Sequence, residues 1–241
     1  MKKLLLATAF ALTSWSAEAA DLPTKAQPIP YTLNLANGGF YFGIWSEAGM
    51  ASVTPSGPIT GANPNSITSV DAGIGGLVGY LWNLPNNCAT CFVAVEAWAG
   101  WSNVNGNAAG FSYSGPAMLK QRVLYGADTA TIASAFPQLF PFTPPPFPGN
   151  LGNITNIKPY VYAAVDELDV SLNVPGLGSN RLWSISPEFG LGAKGQVSAS
   201  VAVDVFAGVR LPQKGVCVGV AAALGCAGMG TAAVTGVAFD F

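Results

Sequence analysis

The chain has 241 residues, half of them hydrophobic and only 9% charged, against about 25% charged residues in an average soluble domain. Ten Lys/Arg and twelve Asp/Glu are too few to coat a water-soluble surface, so something other than water faces much of the molecule. The net charge of −2 and the absence of histidine exclude a basic field for nucleic acid, Ser-His-Asp or Cys-His nucleophiles, His-ligated zinc and a His general base; no catalytic, cofactor or metal site is expected.

At the start of the chain, Lys2 and Lys3 precede an apolar run from Leu4 to Leu12, and Ala17-Glu18-Ala19 supplies small residues at a cleavage position. Residues 1–19 therefore read as a secretory signal peptide, and 20–38 as a periplasmic segment ahead of the folded unit at 39–241. The run is short for a ~30 Å hydrocarbon core, which argues against a retained membrane helix. Export implies an oxidising compartment, so Cys88, Cys91, Cys217 and Cys226 are expected to form two disulfides. Four cysteines allow three pairings, and local pairing is the simplest.

Eight segments alternate with period two, which sends successive side chains to opposite faces of a strand: Gly39–Gly49, Asp71–Leu84, Cys91–Asn103, Gly115–Asp128, Ile157–Leu172, Trp183–Lys194, Gln196–Leu211 and Gly230–Phe241. In the third, Val93, Val95, Ala97, Ala99 and Trp101 oppose Ala94, Glu96, Trp98 and Gly100. The fifth is the least regular, because Asp166, Glu167 and Asp169 fall on both faces. The sixth and seventh are expected to meet in a tight hairpin around Gly195, and in the seventh only Phe206 breaks the pattern.

The polar faces consist of Gly, Ser, Ala and isolated charges, whereas the apolar faces run nearly the full strand length. This inverts a soluble sandwich. A closed barrel with an apolar exterior satisfies every backbone group in lipid, so the expected fold is all-β: an eight-stranded antiparallel transmembrane β-barrel of up-and-down connectivity. Phe40, Phe42, Tyr80, Trp82, Trp101, Tyr125 and Trp183 suit the aromatic girdles of such a wall. Glu96, Lys120, Arg122, Glu188 and Asp204, with Lys194 a further candidate, project from the opposite face and are expected to pair across the lumen as a charge network. The competing reading of these charges is an ion pathway. Four loops follow, near 51–68, 103–114, 173–180 and 212–229.

Other signals carry less. The uncharged stretch from Val216 to Phe239 could be taken for a membrane helix, but its glycines each cost about 1 kcal/mol there. The Pro/Phe-rich insertion at 129–156, including Phe140-Pro141-Phe142 and Pro144-Pro145-Pro146, cannot be a membrane strand. It falls where a short periplasmic turn is expected, and reads as a loop, a plug or a proline-rich recognition segment. Gly190 to Gly195 match GxGxxG without the strand-to-helix setting a dinucleotide site needs. Cys88-Ala89-Thr90-Cys91 matches CxxC in a turn, where a clamping disulfide is expected ahead of redox activity. Asp166, Glu167 and Asp169 could ligate calcium, although a solvated strand end explains them more simply.

Ala20-Asp21-Leu22-Pro23, the proline-containing stretch after it, Gly39-Phe40-Tyr41-Phe42-Gly43 and the terminal run Ala233, Thr235, Val237, Phe239, Phe241 resemble the small outer-membrane β-barrel proteins of alpha-proteobacteria, an OmpA-like, opacity-type porin group. The resemblance implies location in a Gram-negative outer membrane, outer-membrane lipid and the barrel-assembly machinery as partners, and Val237, Phe239 and Phe241 as the assembly signal. The expected role is a non-catalytic one, envelope-structural or surface-ligand contact through the loops, with a narrow porin or channel as the alternative.

Overall fold

The computed structural model describes residues 35, 37–56, 67–84, 91–108, 111–127, 131, 133, 134, 137, 151–213, 215–219 and 225–241. Ten strands form: β1 Gly39–Ser56, β2 Ile67–Asn83, β3 Phe92–Ala108, β4 Phe111–Gly126, β5 Thr155–Val174, β6 Gly178–Ser198, β7 Val201–Arg210, β8 Val216–Val218, β9 Gly225–Met229 and β10 Ala232–Asp240. Strands β1 to β7 pair in sequence order, β10 pairs with β7, and β10 returns to β1 from Gly43↔Asp240 to Met50↔Ala233. Every step is antiparallel, so the eight long strands close into a barrel with no free edge. The chain end is zipped into that seam, with Phe42 N–H donating to Phe241 O (3.2 Å) and Phe241 N–H to Phe42 O (2.7 Å).

The two short strands belong to the last loop. β8 and β9 form a hairpin joined by the Cys217–Cys226 disulfide, and β9 extends the wall by pairing with the upper end of β1, from Val53↔Met229 to Ser56↔Cys226. The stretch from 216 onward is thus strand, not a membrane helix. The β6–β7 turn lies at Ala199 and Ser200, later than the hairpin expected around Gly195. Gly195 instead sits in the wall where Ile154 packs on it; a Cβ there would lie 2.3 Å from Ile154 Cγ2.

β1, β3 and β5 also run further than their alternation suggested, to Ser56, Ala108 and Val174, so most of the loop expected at 103–114 and part of that at 51–68 are strand. The reason is a change of phase. On β3 the outward residues are Val93, Val95, Ala97, Ala99 and Trp101, then Asn103, Asn105 and Asn107, while Val104 turns inward. On β5 the outward series Val161, Ala163, Val165 gives way to Glu167, Asp169, Ser171 and Asn173. Its inward series changes from Asp166 to Leu168, Val170, Leu172 and Val174.

The barrel is therefore two-part along its axis. A band from Val93 to Trp101 is apolar outside and charged inside, matching the ~9–11 residues with which a tilted strand crosses a bilayer. Beyond it, at the end remote from the termini, the wall is polar outside and apolar inside, like a soluble barrel. Rings border the band: Phe40, Tyr80 and Trp82 stack near the terminal end, at 4.7 and 4.4 Å between successive ring centroids. Trp101, 73% exposed, and Trp183 mark the other border. Replacing Ala97, outward-facing at the centre of the band, with arginine should cost about 2–4 kcal/mol of stability in lipid, and Asn105→Arg beyond the border about 0–1 kcal/mol; urea titration in vesicles measures both.

Candidate functional site

The inward side chains of the band make the one dense constellation of chemistry among the described residues, and they fall into two tiers. Nearer the termini, Arg122 donates from Nε to Glu96 Oε2 (2.7 Å) and from Nη2 to Asp204 Oδ2 (2.5 Å). Lys194 Nζ lies 3.0 Å from Glu96, 3.1 Å from Asp204 and 2.6 Å from Asp240. Tyr41 Oη donates to Glu96 Oε1 (2.5 Å), Trp98 Nε1 to Glu96 Oε2 (2.9 Å), and Tyr160 Oη to Asp204.

The second tier is built on Lys120 and Arg210. Lys120 Nζ reaches Glu47 (2.6 Å), Glu188 (3.1 Å) and Asp166 (3.4 Å). Arg210 reaches Glu47 (2.7 Å), Asp166 (2.9 Å) and Glu188 (3.2 Å). Tyr162 Oη donates to Glu188 at 2.8 Å. All ten charged groups are buried. Such a burial is tolerable only because the ions pair with one another through charge-assisted hydrogen bonds in a low-dielectric interior.

Aromatic rings separate the tiers. Trp98 and Phe206 meet edge-to-face at 5.5 Å between centroids. The Arg122 guanidinium lies 4.5 Å from the Trp98 centroid and 5.0 Å from that of Phe206, while Lys120 from the other tier approaches the same rings at 5.3 and 5.7 Å. Cations on aromatic faces gain from the ring quadrupole most when desolvated.

Apolar groups close both ends. Toward the termini lie Leu35, Leu81, Phe92 and Leu124, with Leu35 N–H donating to Gln196 Oε1 (3.2 Å). At the far end Val53, Val104, Phe111, Tyr113, Leu172 and Val174 pack with Val216, Val218, Ala227 and Met229 of the β8–β9 hairpin. Hydrogen bonds from Tyr113 Oη to Gln213 Oε1 (3.4 Å) and from Asn180 Nδ2 to Cys217 O (2.9 Å) tie the hairpin region to β4 and β6. The lumen is a packed column of floor, tier, rings, tier and cap, consistent with the small interior of eight-stranded barrels.

Glu96, Lys120, Arg122, Glu188, Asp204 and Lys194 all point into this column. Glu47, Asp166, Arg210 and Asp240 join them in the column, beyond the charges expected there from sequence. Arg210 shared the face of Asp204, and this was the available signal; Glu47 shares the inward face of Tyr41 and Trp45 on β1. A solvated strand end does not describe Asp166, which is enclosed. Nor do the three β5 acids converge on calcium, since Asp166 points in whereas Glu167 and Asp169 lie on the outer face, and no group of three His, Cys, Asp or Glu among the described residues could hold a metal. Asp169 pairs with exposed Arg181 on the polar wall, where that guanidinium's hydrogen bonds hold its carboxyl below the ordinary range.

Gly190 and Gly192 are strand residues under aromatic rings, not a phosphate loop: a Cβ would come within 2.5 Å of Tyr162 at 190 and 2.3 Å of Tyr160 at 192. Cys91 carries no free thiol and its Sγ lies 3.6 Å from Tyr125 Oη; Cys88 lies outside the described residues. So do the expected signal at 1–19, residues 20–34 and most of the Pro/Phe-rich insertion, whose flanks, the ends of β4 and β5, lie at the terminal end of the barrel. Phe239 and Phe241 stand exposed on the outer wall, with Val237 half-buried beside them.

The fold and its exterior define the protein as a small eight-stranded transmembrane β-barrel. Among solved structures it is similar to Neisserial surface protein A, at 15% identity over 82% of this chain and 97% of that one (TM-score 0.39). It is also similar to the N-terminal β-barrel domain of Pseudomonas aeruginosa OprF, at 12% identity over 81% and 97% (TM-score 0.34). No family model matches the chain, and no curated protein matches it in sequence.

Proposed function

We propose that the protein is a non-catalytic barrel of a Gram-negative outer membrane, delivered by a cleaved signal peptide, whose rigid wall displays loops and a projecting polar rim to the outside. The observation that carries this reading is the filled lumen: two ion-pair tiers lie between an apolar floor and a disulfide-linked apolar cap. Such an interior favours an anchoring, envelope-structural or surface-contact role over a narrow pore, and leaves partner recognition to the rim and loops. The termini would face the periplasm, and Val237, Phe239 and Phe241 at the C-terminal end would present the assembly signal to the barrel-assembly machinery.

Two measurements test it together. Membrane fractions should contain a folded form that migrates faster before boiling than after it, and the purified protein in planar bilayers should give no stable single-channel steps. A protein recovered from the soluble periplasm with unchanged mobility would overturn the barrel assignment to that membrane. Stable conductance abolished by substitution at Lys120 or Arg122 would replace the anchoring role with a channel.

A further inference from the structure

A cavity of about 390 Å³ lies outside the lumen, on the lipid-facing wall of β6 and β7. Its floor is low because the residues there are small: Ala193 and Gly195 on β6, Ala207 on β7, and Gly192, so bare that the slot reaches its strand partner Phe206. Leu191 and Val205, both exposed, stand up from the same floor. At the terminal end the slot also has a lip. Leu151 and Ile154 close a tight turn by donating to each other's carbonyl oxygens (2.8 and 3.0 Å), with Gly152 at φ +58° between them, a conformation that suits glycine. Thr155 then pairs with Gln196, and Ile154 sits so close over Gly195 that a Cβ there would collide with it. The turn thus holds apolar side chains over the wall, and Leu151 leaves 65% of its own surface uncovered.

We propose that this slot holds one acyl chain of a phospholipid from the leaflet on the side of the termini; the proposal rests on the membrane reading above. The slot is continuous with the lipid-facing wall, so hydrocarbon is already its neighbour. Its span fits one leaflet. Gly195 pairs with Val203 beside the β6–β7 turn, at the terminal end of the band, whereas Leu191, Ala207 and Thr235 form a row next to Phe206, the ring between the tiers. From Gly195 to Leu191 the slot runs about 13 Å at ~3.3 Å per residue, against about 15 Å for half of a ~30 Å hydrocarbon core. The lining side chains are apolar except Thr235, whose hydroxyl already donates to Phe206 O (3.1 Å), so the slot suits a tail and not a headgroup. Tail and wall are equally apolar, and selection therefore comes from shape. A chain in the slot touches floor, sides and lip at once, and an empty slot forfeits those dispersion contacts.

Native mass spectrometry tests this on the full chain refolded into vesicles of phosphatidylethanolamine and phosphatidylglycerol and then released in mild detergent. The wild type should carry a saturable adduct of a single phospholipid. Ala193→Phe and Ala207→Phe each place a ring in the slot and should remove most of that adduct. Ala99→Phe puts the same ring on the outward face of β3 and should keep it. All three side chains point away from the lumen, so the fast-migrating unboiled form should persist in each. A fast-migrating wild type without the adduct, or an adduct equally strong in all three variants, overturns the site and leaves the barrel standing. Pairs of chains that are lost in Ala193→Phe would give the slot to a second copy. An adduct that forms only once Phe140, Phe142 and Phe147 are replaced by serine would give it to this chain's own Pro/Phe-rich insertion. Either result overturns the assignment to lipid. A chain with no fast-migrating form overturns the membrane reading, and the slot with it.

Discussion

Arg122→Met is expected to destabilise the barrel by about 3–5 kcal/mol, the range seen when one partner of a buried ion pair is removed. Arg122 bridges β3 and β7 through a fork that bonds Glu96 and Asp204 at once, and its plane lies against Trp98 and Phe206. Methionine keeps much of the stem volume and deletes the charge, leaving three buried carboxylates on Lys194 alone. The urea midpoint in vesicles should fall, and little of the fast-migrating unboiled form should survive. Arg122→Lys should recover only part of the loss, since an ammonium cannot reproduce two directed bonds from one plane. Adding Glu96→Gln to Arg122→Met should restore some stability, which identifies the unpaired carboxylates as the cause. Arg181→Met is the comparison: its side chain is 66% exposed while its partner Asp169 on the outer wall is covered, at 5%, so water still reaches the pair from one side and the loss should be smaller than at Arg122. Equal losses at 122 and 181 would contradict the tiered lumen.

The alternation of β3, β6 and β7 was legible because one rule holds along most of their length: apolar to lipid, polar to the lumen. β5 was hard to read because it crosses the border at which the rule reverses. Asp166 ends the charged interior, and Glu167 and Asp169 begin the polar exterior, so acids stand on both faces of one continuous strand. Period-two analysis tests for a constant face and has no means of registering a change of solvent along the strand. Gly195 misled for a related reason, since glycine marks both turns and close approaches, and only the position of Ile154 distinguishes them. Lumen partners were visible where the charge stood alone on a small-residue face, as with Glu96 and Glu188. Glu47 and Asp240 were missed because the strands that carry them gave no contrast until β10 was seen to close on β1.

Phe206→Ala is the second large effect expected, at about 3–5 kcal/mol. Phe206 broke the polar face of its strand in the sequence, and in the barrel that break is the lumen's central packing element. Its ring is buried, meets Trp98 at 5.5 Å and Tyr162 at 6.1 Å, and lies between Arg122 and Lys120. Truncation opens a cavity whose walls are partly aromatic and partly charged, so unlike a purely apolar void it has polar partners that can hold water. Water there would hydrate the two tiers and lower the cost toward the bottom of that range, while loosening the geometry that the rings impose on the cations. Phe206→Leu keeps much of the apolar volume but removes the ring that both cations face, and should cost less than Phe206→Ala. Val205→Ala, one residue away and 54% exposed on the lipid-facing wall, should cost less than Phe206→Ala, because its methyl groups have lipid as their neighbour in the folded state. If urea titration in vesicles ranks Val205→Ala equal to or above Phe206→Ala, the inward assignment of Phe206 is wrong.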